Sequence, residues 1–211
     1  MNKTTSNHFR LRLSLTIGVL LICLIVVQRI RFTPNTIAIE VVSPEAEDTY
    51  QVFYDIGNGF NETDSLRNTV QPGDKTVTVN FFLLPAIQIK ALRIDPGTRA
   101  GQIAIKSIRF IHKFHKLHYQ ISLYQWTGEQ IVKEFQPANQ ISDFSSKEHL
   151  LQITSTGTDP FFDYAGDLKT VYEAIKTKAI VIRIFLAILS VVFAGGVFWL
   201  FSHVMHEKKI S

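Results

Sequence analysis

The sequence predicts a mainly β protein: an antiparallel, jelly-roll-like β-sandwich flanked by two transmembrane helices. Three observations carry that prediction. Apolar runs lie near both ends, at Leu13–Val27 and Ile184–Val204. Between them, short segments alternate apolar and polar residues with period two, the mark of half-buried strands. Gly, Pro, Asn and Asp punctuate those segments, and no βαβ spacing of about 30 residues appears.

The expected organisation follows the chain. Residues 1–12 are a cytoplasmic tail, 13–30 a first transmembrane helix, and 32–166 the sandwich. Residues 167–178 form a short amphipathic helix or linker, 179–204 a second transmembrane helix, and 205–211 another cytoplasmic tail. The uncharged core of the first span, Leu13–Gln28, falls short of the ~20 residues a bilayer demands, and Arg12 and Arg29 are placed to snorkel. Gln28-Arg29-Ile30-Arg31 offers no small-residue cleavage site, so the run reads as an uncleaved signal-anchor. Lys3, Arg10 and Arg12 precede it and Arg29 and Arg31 follow. That asymmetry favours cytoplasmic termini with the central domain outside, in the inner (cytoplasmic) membrane. Gly195-Gly196 permits close helix approach, and Phe198, Trp199 and Phe201 sit where an aromatic belt falls.

The strands follow in order. Ile37, Ile39 and Val41 alternate, as do Tyr50, Val52, Tyr54 and Ile56. Val77, Val79 and Phe81 follow the Pro72-Gly73-Asp74 turn. Ile87 and Ile89 are out of phase with Leu92 and Ile94, which predicts a bulge near Lys90-Ala91. Ile103 and Ile105 slip in the same way against Ile108 and Phe110. Leu117, Tyr119, Ile121 and Leu123 make a further run, and Thr127-Gly128 begins a turn. Residues 136–148 read as a polar loop, and Leu150–Thr154 and Phe161–Tyr164 as late strands. Leu168, Val171, Tyr172 and Ile175 have helical spacing.

Charge and cysteine content narrow the function classes. The chain of 211 residues carries a net charge of +4, yet residues 32–177 hold 13 Lys and Arg against 17 Asp and Glu. The basicity therefore belongs to the membrane-flanking segments, where it meets lipid phosphates, and nucleic acid is not an expected partner. The single cysteine, Cys23, lies in the first apolar run, so the central domain has no disulfide and no thiolate metal site.

Four segments are candidates for ligand contact. Asp55–Asp64 offers oxygen ligands for Ca²⁺ or sugar hydroxyls, but its spacing is not that of an EF-hand loop and an ordinary wide turn suffices. In Leu92–Gly101, Arg93 and Arg99 flank Asp95 beside a Pro96-Gly97 turn. They could hold an anionic or sugar ligand. His112, His115 and His118 lack a carboxylate or thiolate companion and read as solvated hairpin residues, so no metal is expected. Unless a bulge intervenes, Tyr124 and Trp126 share the polar phase of their strand, where exposed rings can stack on sugars, cover a loop or meet a partner. Arg93, Asp95, Arg99, Tyr124 and Trp126 are thus the expected ligand-binding set. Signatures of nucleotide-binding loops, nucleophile elbows and zinc proteases are absent, and no catalytic residue or cofactor is assigned.

Val52-Phe-Tyr-Asp-Ile-Gly-Asn-Gly-Phe-Asn-Glu62, Ile89-Lys-Ala-Leu-Arg-Ile-Asp-Pro-Gly97, Ile105-Lys-Ser-Ile-Arg-Phe110 and the late Ser155-Thr-Gly-Thr-Asp-Pro-Phe161 carry a resemblance. Together they resemble β-sandwich modules of poorly characterised bacterial envelope membrane proteins, some associated with glycosyltransferases or surface-polysaccharide machinery. The resemblance spans residues 49–164 and implies a fold without catalytic residues. It implies a non-catalytic domain that binds a glycan, glycolipid or partner protein during cell-envelope polysaccharide assembly, beside the bilayer and an integral-membrane glycosyltransferase or polysaccharide-assembly partner. The alternatives are a structural accessory subunit of a membrane complex and a membrane-bound enzyme acting on envelope sugars.

Overall fold

The computed structural model describes residues 3–73, 75–84, 88–114 and 118–207. Asp74 of the expected turn, Ile87, His115, Lys116 and Leu117 lie outside the described residues. The chain divides into two units: Phe32–Lys176, and the segments before Phe32 and after Lys176.

The central unit is built from two antiparallel sheets. The first holds β1 (Thr36–Val42), β4 (Thr76–Phe82), β6 (Gly101–Phe114), β7 (Tyr119–Thr127), β9 (Ile141–Lys147) and β10 (Leu150–Ser155). Its order is β4-β1-β6-β10-β9, with β7 also paired to β6. The second holds β2 (Asp48–Asp55), β3 (Ser65–Val70), β5 (Ala91–Pro96), β8 (Phe135–Asn139) and β11 (Phe161–Tyr164), in the order β3-β2-β5-β11-β8.

Period-two alternation decides which faces meet. Ile37, Ile39 and Val41 stand opposite Phe110, Ile108 and Ile105, and all are fully buried. In the second sheet Val52 and Tyr54 stand opposite Ile94 and Leu92, and all four are buried. Rings bridge the two layers: Phe144 and Phe162 lie 5.3 Å apart, and Trp126 and Phe135 5.5 Å apart. Each such aliphatic or aromatic side chain withdrawn from water contributes about 1.5–3 kcal/mol, so this layer dominates the stability of the unit.

The slip expected between Ile105 and Ile108 is present. Glu40 pairs with Ser107 and Val41 with Ile105, so Lys106 is the extra residue of a bulge. β6 is long enough to carry two neighbours along one edge, β10 on Gly101–Ile105 and β7 on Ser107–Phe114, with β1 along the other.

Three expectations are corrected. Residues 136–148 are not a polar loop: they form most of β8 and β9. Their alternation is masked because β8 carries Pro137 and β9 is largely exposed, so neither shows a clean apolar phase. Thr127-Gly128 does not begin a turn but starts the helix α2 (Gly128–Glu134). The Gln130 side chain accepts from the Thr127 N–H at 2.9 Å, and Gly128 presses against β10, where a Cβ would come 2.4 Å from the Leu151 nitrogen. The strand expected from Ile87 through a bulge at Lys90-Ala91 begins only at Ala91. Ile89 is instead buried outside the ladder, its N–H donating to the Tyr172 hydroxyl at 2.9 Å.

The other unit is helical. The helix that opens the chain, α1, covers Lys3–Arg29, and the closing helix, α3, covers Leu168–Glu207 without interruption. The expected amphipathic segment at 167–178 is therefore the first part of α3. Leu168, Val171 and Ile175 bury the predicted face. Among the described residues one helical stretch, Leu168–Leu200, is long and apolar enough to cross a membrane, with an 18-residue window of mean hydropathy 2.5; Leu13–Arg29 is apolar but shorter. Arg183, within α3, donates from Nη2 to the Ile30 carbonyl at 3.1 Å. That contact satisfies one of the carbonyls left open where α1 ends.

Candidate functional site

The polar phase of the second sheet builds its outer face. Opposite residues in an antiparallel ladder share a face, so the pairings define rows. One row runs Arg67, Gln51, Asp95; the next runs Ser65, Phe53, Arg93, Asp163, Gln136. A cleft of about 620 Å³ lies over these rows, within the range of small-molecule sites. The segment Phe60-Asn61-Glu62 walls one side, and Thr158-Asp159 borders it elsewhere.

Arg93 is its centre. Its Nε and Nη2 donate to the two oxygens of Asp95, each at 2.7 Å, a bidentate fork made possible because residues two apart on a strand share a face. The guanidinium carbon lies 3.5 Å from the Phe161 ring centroid and 4.7 Å from that of Phe53. The Arg93 and Asp95 side chains are 19% and 11% exposed. Asp159 approaches Arg93 at 3.8 Å and remains 60% exposed. Asp163 stands opposite Arg93 on β11, and its Oδ1 is buried without a hydrogen-bond partner among the described residues.

One guanidinium thus serves three carboxylates, and the titrations divide accordingly. Burial opposes the charge of Arg93, but its bonds to Asp95 and the nearby Asp159 and Asp163 outweigh that and raise its pKa. Burial raises the pKa of Asp95; Arg93 opposes the shift, and the like charges of Asp159 and Asp163 add to it. Asp163 is raised by burial, against the pull of Arg93.

Gln51 and Glu62 shape the wall. Gln51 Nε2 donates to Glu62 Oε2 at 3.1 Å and to Ser65 Oγ at 2.9 Å, while Arg67 Nη2 bonds the same Glu62 oxygen at 3.0 Å. At the far end, Asp48 Oδ1 accepts from the backbone of Thr49 and Thr98 and from the Thr98 hydroxyl, at 2.8, 2.7 and 2.8 Å. This fixes the turn after Pro96. Gly97 sits there at φ 123°, and a Cβ would come 2.6 Å from Asp48 Oδ2.

The five residues expected from sequence are not one site. Arg93 and Asp95 come together in the cleft. Arg99 lines a different groove of about 660 Å³, with Asp48, Tyr50 and Gln102. Tyr124 and Trp126 belong to the first sheet. The expectation that Trp126 is an exposed stacking platform is overturned. It is fully buried, its indole N–H donates to Glu134 Oε2 at 2.9 Å, and rings of Phe110, Phe135 and Tyr164 surround it. The reason is a bulge. Phe110 pairs with Tyr124 but Ile111 with Ser122, so the strand changes phase at Leu123 and the later even positions turn inward. Tyr124 is half-buried, 4.8 Å from Trp126 and edge-on to it.

Two further candidate segments make local hydrogen bonds. Asp55 Oδ1 accepts from the successive N–H groups of Gly57, Asn58 and Gly59 at 2.5, 2.8 and 2.8 Å. Those bonds, Gly57's foremost, lower its pKa, and they make Asp55–Asp64 a wide turn. Asn61 caps the 3-10 turn Glu62–Asp64. His112 Nδ1 lies 2.7 Å from the Thr33 carbonyl oxygen. Among the described residues no group of three or more His, Cys, Asp or Glu side chains could hold a metal ion.

Sequence reasoning missed Gln51, Phe53, Phe60, Glu62, Arg67, Asp159 and Phe161. One signal was available: Phe53 and Phe161 are aromatic residues that alternate with the buried Val52, Tyr54 and Phe162 of their strands.

These features define a two-sheet antiparallel β domain continuous with a long apolar helix, with a charged, aromatic-flanked cleft on one sheet. No family model, curated protein or solved structure matches the chain.

Proposed function

We propose that this protein is a membrane-anchored, non-catalytic sandwich that displays the cleft outside the cytoplasmic membrane and binds a glycan there during envelope polysaccharide assembly. The observation that carries the reading is Arg93, clamped by Asp95 and stacked on Phe161. A fixed guanidinium, a side-chain amide and carboxylates arranged on a rigid sheet suit the vicinal hydroxyls of a sugar ring, and Phe60, 40% exposed, offers a ring face to its C–H bonds. Arg93 Nη1 makes no hydrogen bond among the described residues and is free to donate. Both oxygens of Asp95 are committed to Arg93, which favours binding over acid–base chemistry.

The long apolar part of α3 serves as the anchor, and the N-terminal apolar run adds a second span with both termini cytoplasmic. Anchoring keeps the cleft near lipid-linked sugars and raises its effective concentration there. A glycan array probed with the full chain in lipid nanodiscs tests the reading. Arg93→Ala is expected to abolish the signal. No glycan binding, together with stoichiometric co-purification of an integral membrane protein, replaces this reading by the accessory-subunit one. Reporter fusions at each terminus test the topology.

A further inference from the structure

We infer that the cleft selects its glycan by charge, preferring a sugar with a free amino group, accepting a neutral one and rejecting an acidic one. The inference rests on the glycan reading and sharpens it. The cleft lining brings two guanidinium groups, Arg67 and Arg93, against three carboxylates, Glu62, Asp95 and Asp159. Arg67 and Glu62 pair with each other at the rim, 3.0 Å apart and 61% and 69% exposed, and leave no net charge there. What remains is Arg93 among Asp95, Asp159 and Asp163. Around this cation the carboxylates are in excess.

The excess is placed where a ligand can meet it. Asp95 is engaged by both its oxygens. Asp159 is not: its Oδ2 accepts from Asn139 at 3.2 Å, while its Oδ1 stands 3.8 Å from Arg93, beyond hydrogen-bond reach, on a mostly exposed side chain. That oxygen is the acceptor a ligand ammonium would meet. Asp163, directly opposite Arg93 on β11, adds negative potential. An acidic sugar brought to Arg93 would displace no carboxylate, because the Asp95 fork is intramolecular and shielded, and would face Asp159 unpaired. Concave, partly desolvated walls strengthen both effects relative to a flat surface.

The test uses the full chain in phosphatidylcholine nanodiscs, with empty nanodiscs as control, at about pH 6, where an amine of this kind is protonated. Three probes are titrated calorimetrically: an unacetylated glucosamine trimer, its N-acetylated counterpart and a galacturonate trimer. The glucosamine trimer is expected to bind about tenfold tighter than the acetylated one, with galacturonate undetected and the preference shrinking in high salt. Asp159→Asn is expected to bring the ratio of the two affinities, amino over acetylated, to about twofold or less. Galacturonate binding as tightly as the acetylated trimer, or an unchanged preference in Asp159→Asn, overturns the inference. If the acetylated trimer binds and the amino trimer binds no better, charge selection falls and the glycan reading stands. If no probe binds while Trp126 fluorescence reports an intact sandwich, both fall.

Discussion

Arg93→Ala puts the central electrostatic argument at risk most directly. The substitution removes a bidentate fork, a guanidinium lying over two rings, and the cation paired with Asp95, whose side chain is 11% exposed. Stacking on Phe161 and Phe53 is worth about 0.5–2 kcal/mol. Leaving a mostly buried carboxylate unpaired costs more: a fully buried pair broken on one side loses about 3–5 kcal/mol, and partial exposure of the site lowers that. A total near 3 kcal/mol is expected, which lowers the melting temperature of a unit this size by about 6–12 °C. The sign of the pH dependence is distinctive. The folded-state pKa of Asp95 is already raised, so ionising it costs the folded state; the stability it contributes is full below the unfolded value of about 3.9 and is lost as pH rises through the folded value. Without Arg93 the folded pKa rises further, so the penalty must grow between about pH 4 and neutrality. Adding Asp95→Leu to Arg93→Ala removes the orphaned charge and should restore much of the loss. Melts followed by Trp126 fluorescence across pH supply the data. A penalty below about 1 kcal/mol, or one that is flat with pH, would falsify the claim that Arg93 compensates a buried carboxylate.

Other consequences are simpler. Gly128→Ala forces a Cβ against the β10 backbone and should destabilise the sandwich by roughly 2 kcal/mol in urea titrations. Trp126→Phe keeps a ring and leaves Glu134 its bond from the Tyr164 hydroxyl, so loss of the indole donor should cost about 0.5–1.5 kcal/mol and leave sugar binding by the cleft intact. Asp55 should titrate below an ordinary carboxylate, by carbon-detected NMR; its stabilisation is present above about pH 4 and lost as pH falls through its lowered folded value, and Asp55→Asn should remove that dependence. Deleting residues 13–30 together with residues 179–204 should release the protein from membranes in carbonate extraction, whereas the intact chain stays in the pellet.

Alternation makes much of the fold legible in the sequence. Ile37, Ile39, Val41, Val52, Tyr54, Leu92 and Ile94 were all placed on buried faces by period two alone, because each strand has one wet and one dry side. The bulge at Lys106 was visible as a slip in that phase. β8 and β9 were not visible, since strands with little apolar surface leave no periodic trace. The bulge opposite Phe110 and Ile111 was hidden as well. Leu123 and Trp126 sit on opposite phases, and only the pairing with β6 shows that both are buried.

The candidate site divides along the same line. Local spacing determined that Arg93 and Asp95 share a face, because residues two apart on a strand must. It also determined that the Asp95-Pro96-Gly97 segment turns, and that an apolar helix of membrane-spanning length closes the chain. Only the tertiary structure decided what stands beside that pair. Phe53, Phe161, Asp159 and Glu62 come from segments far apart in the chain, brought to one cleft by the β3-β2-β5-β11 order. The same packing sent Arg99 to another groove and Trp126 to the core. Sequence spacing specifies which side of a strand a residue occupies; which strands become neighbours is settled by the burial of the opposite face.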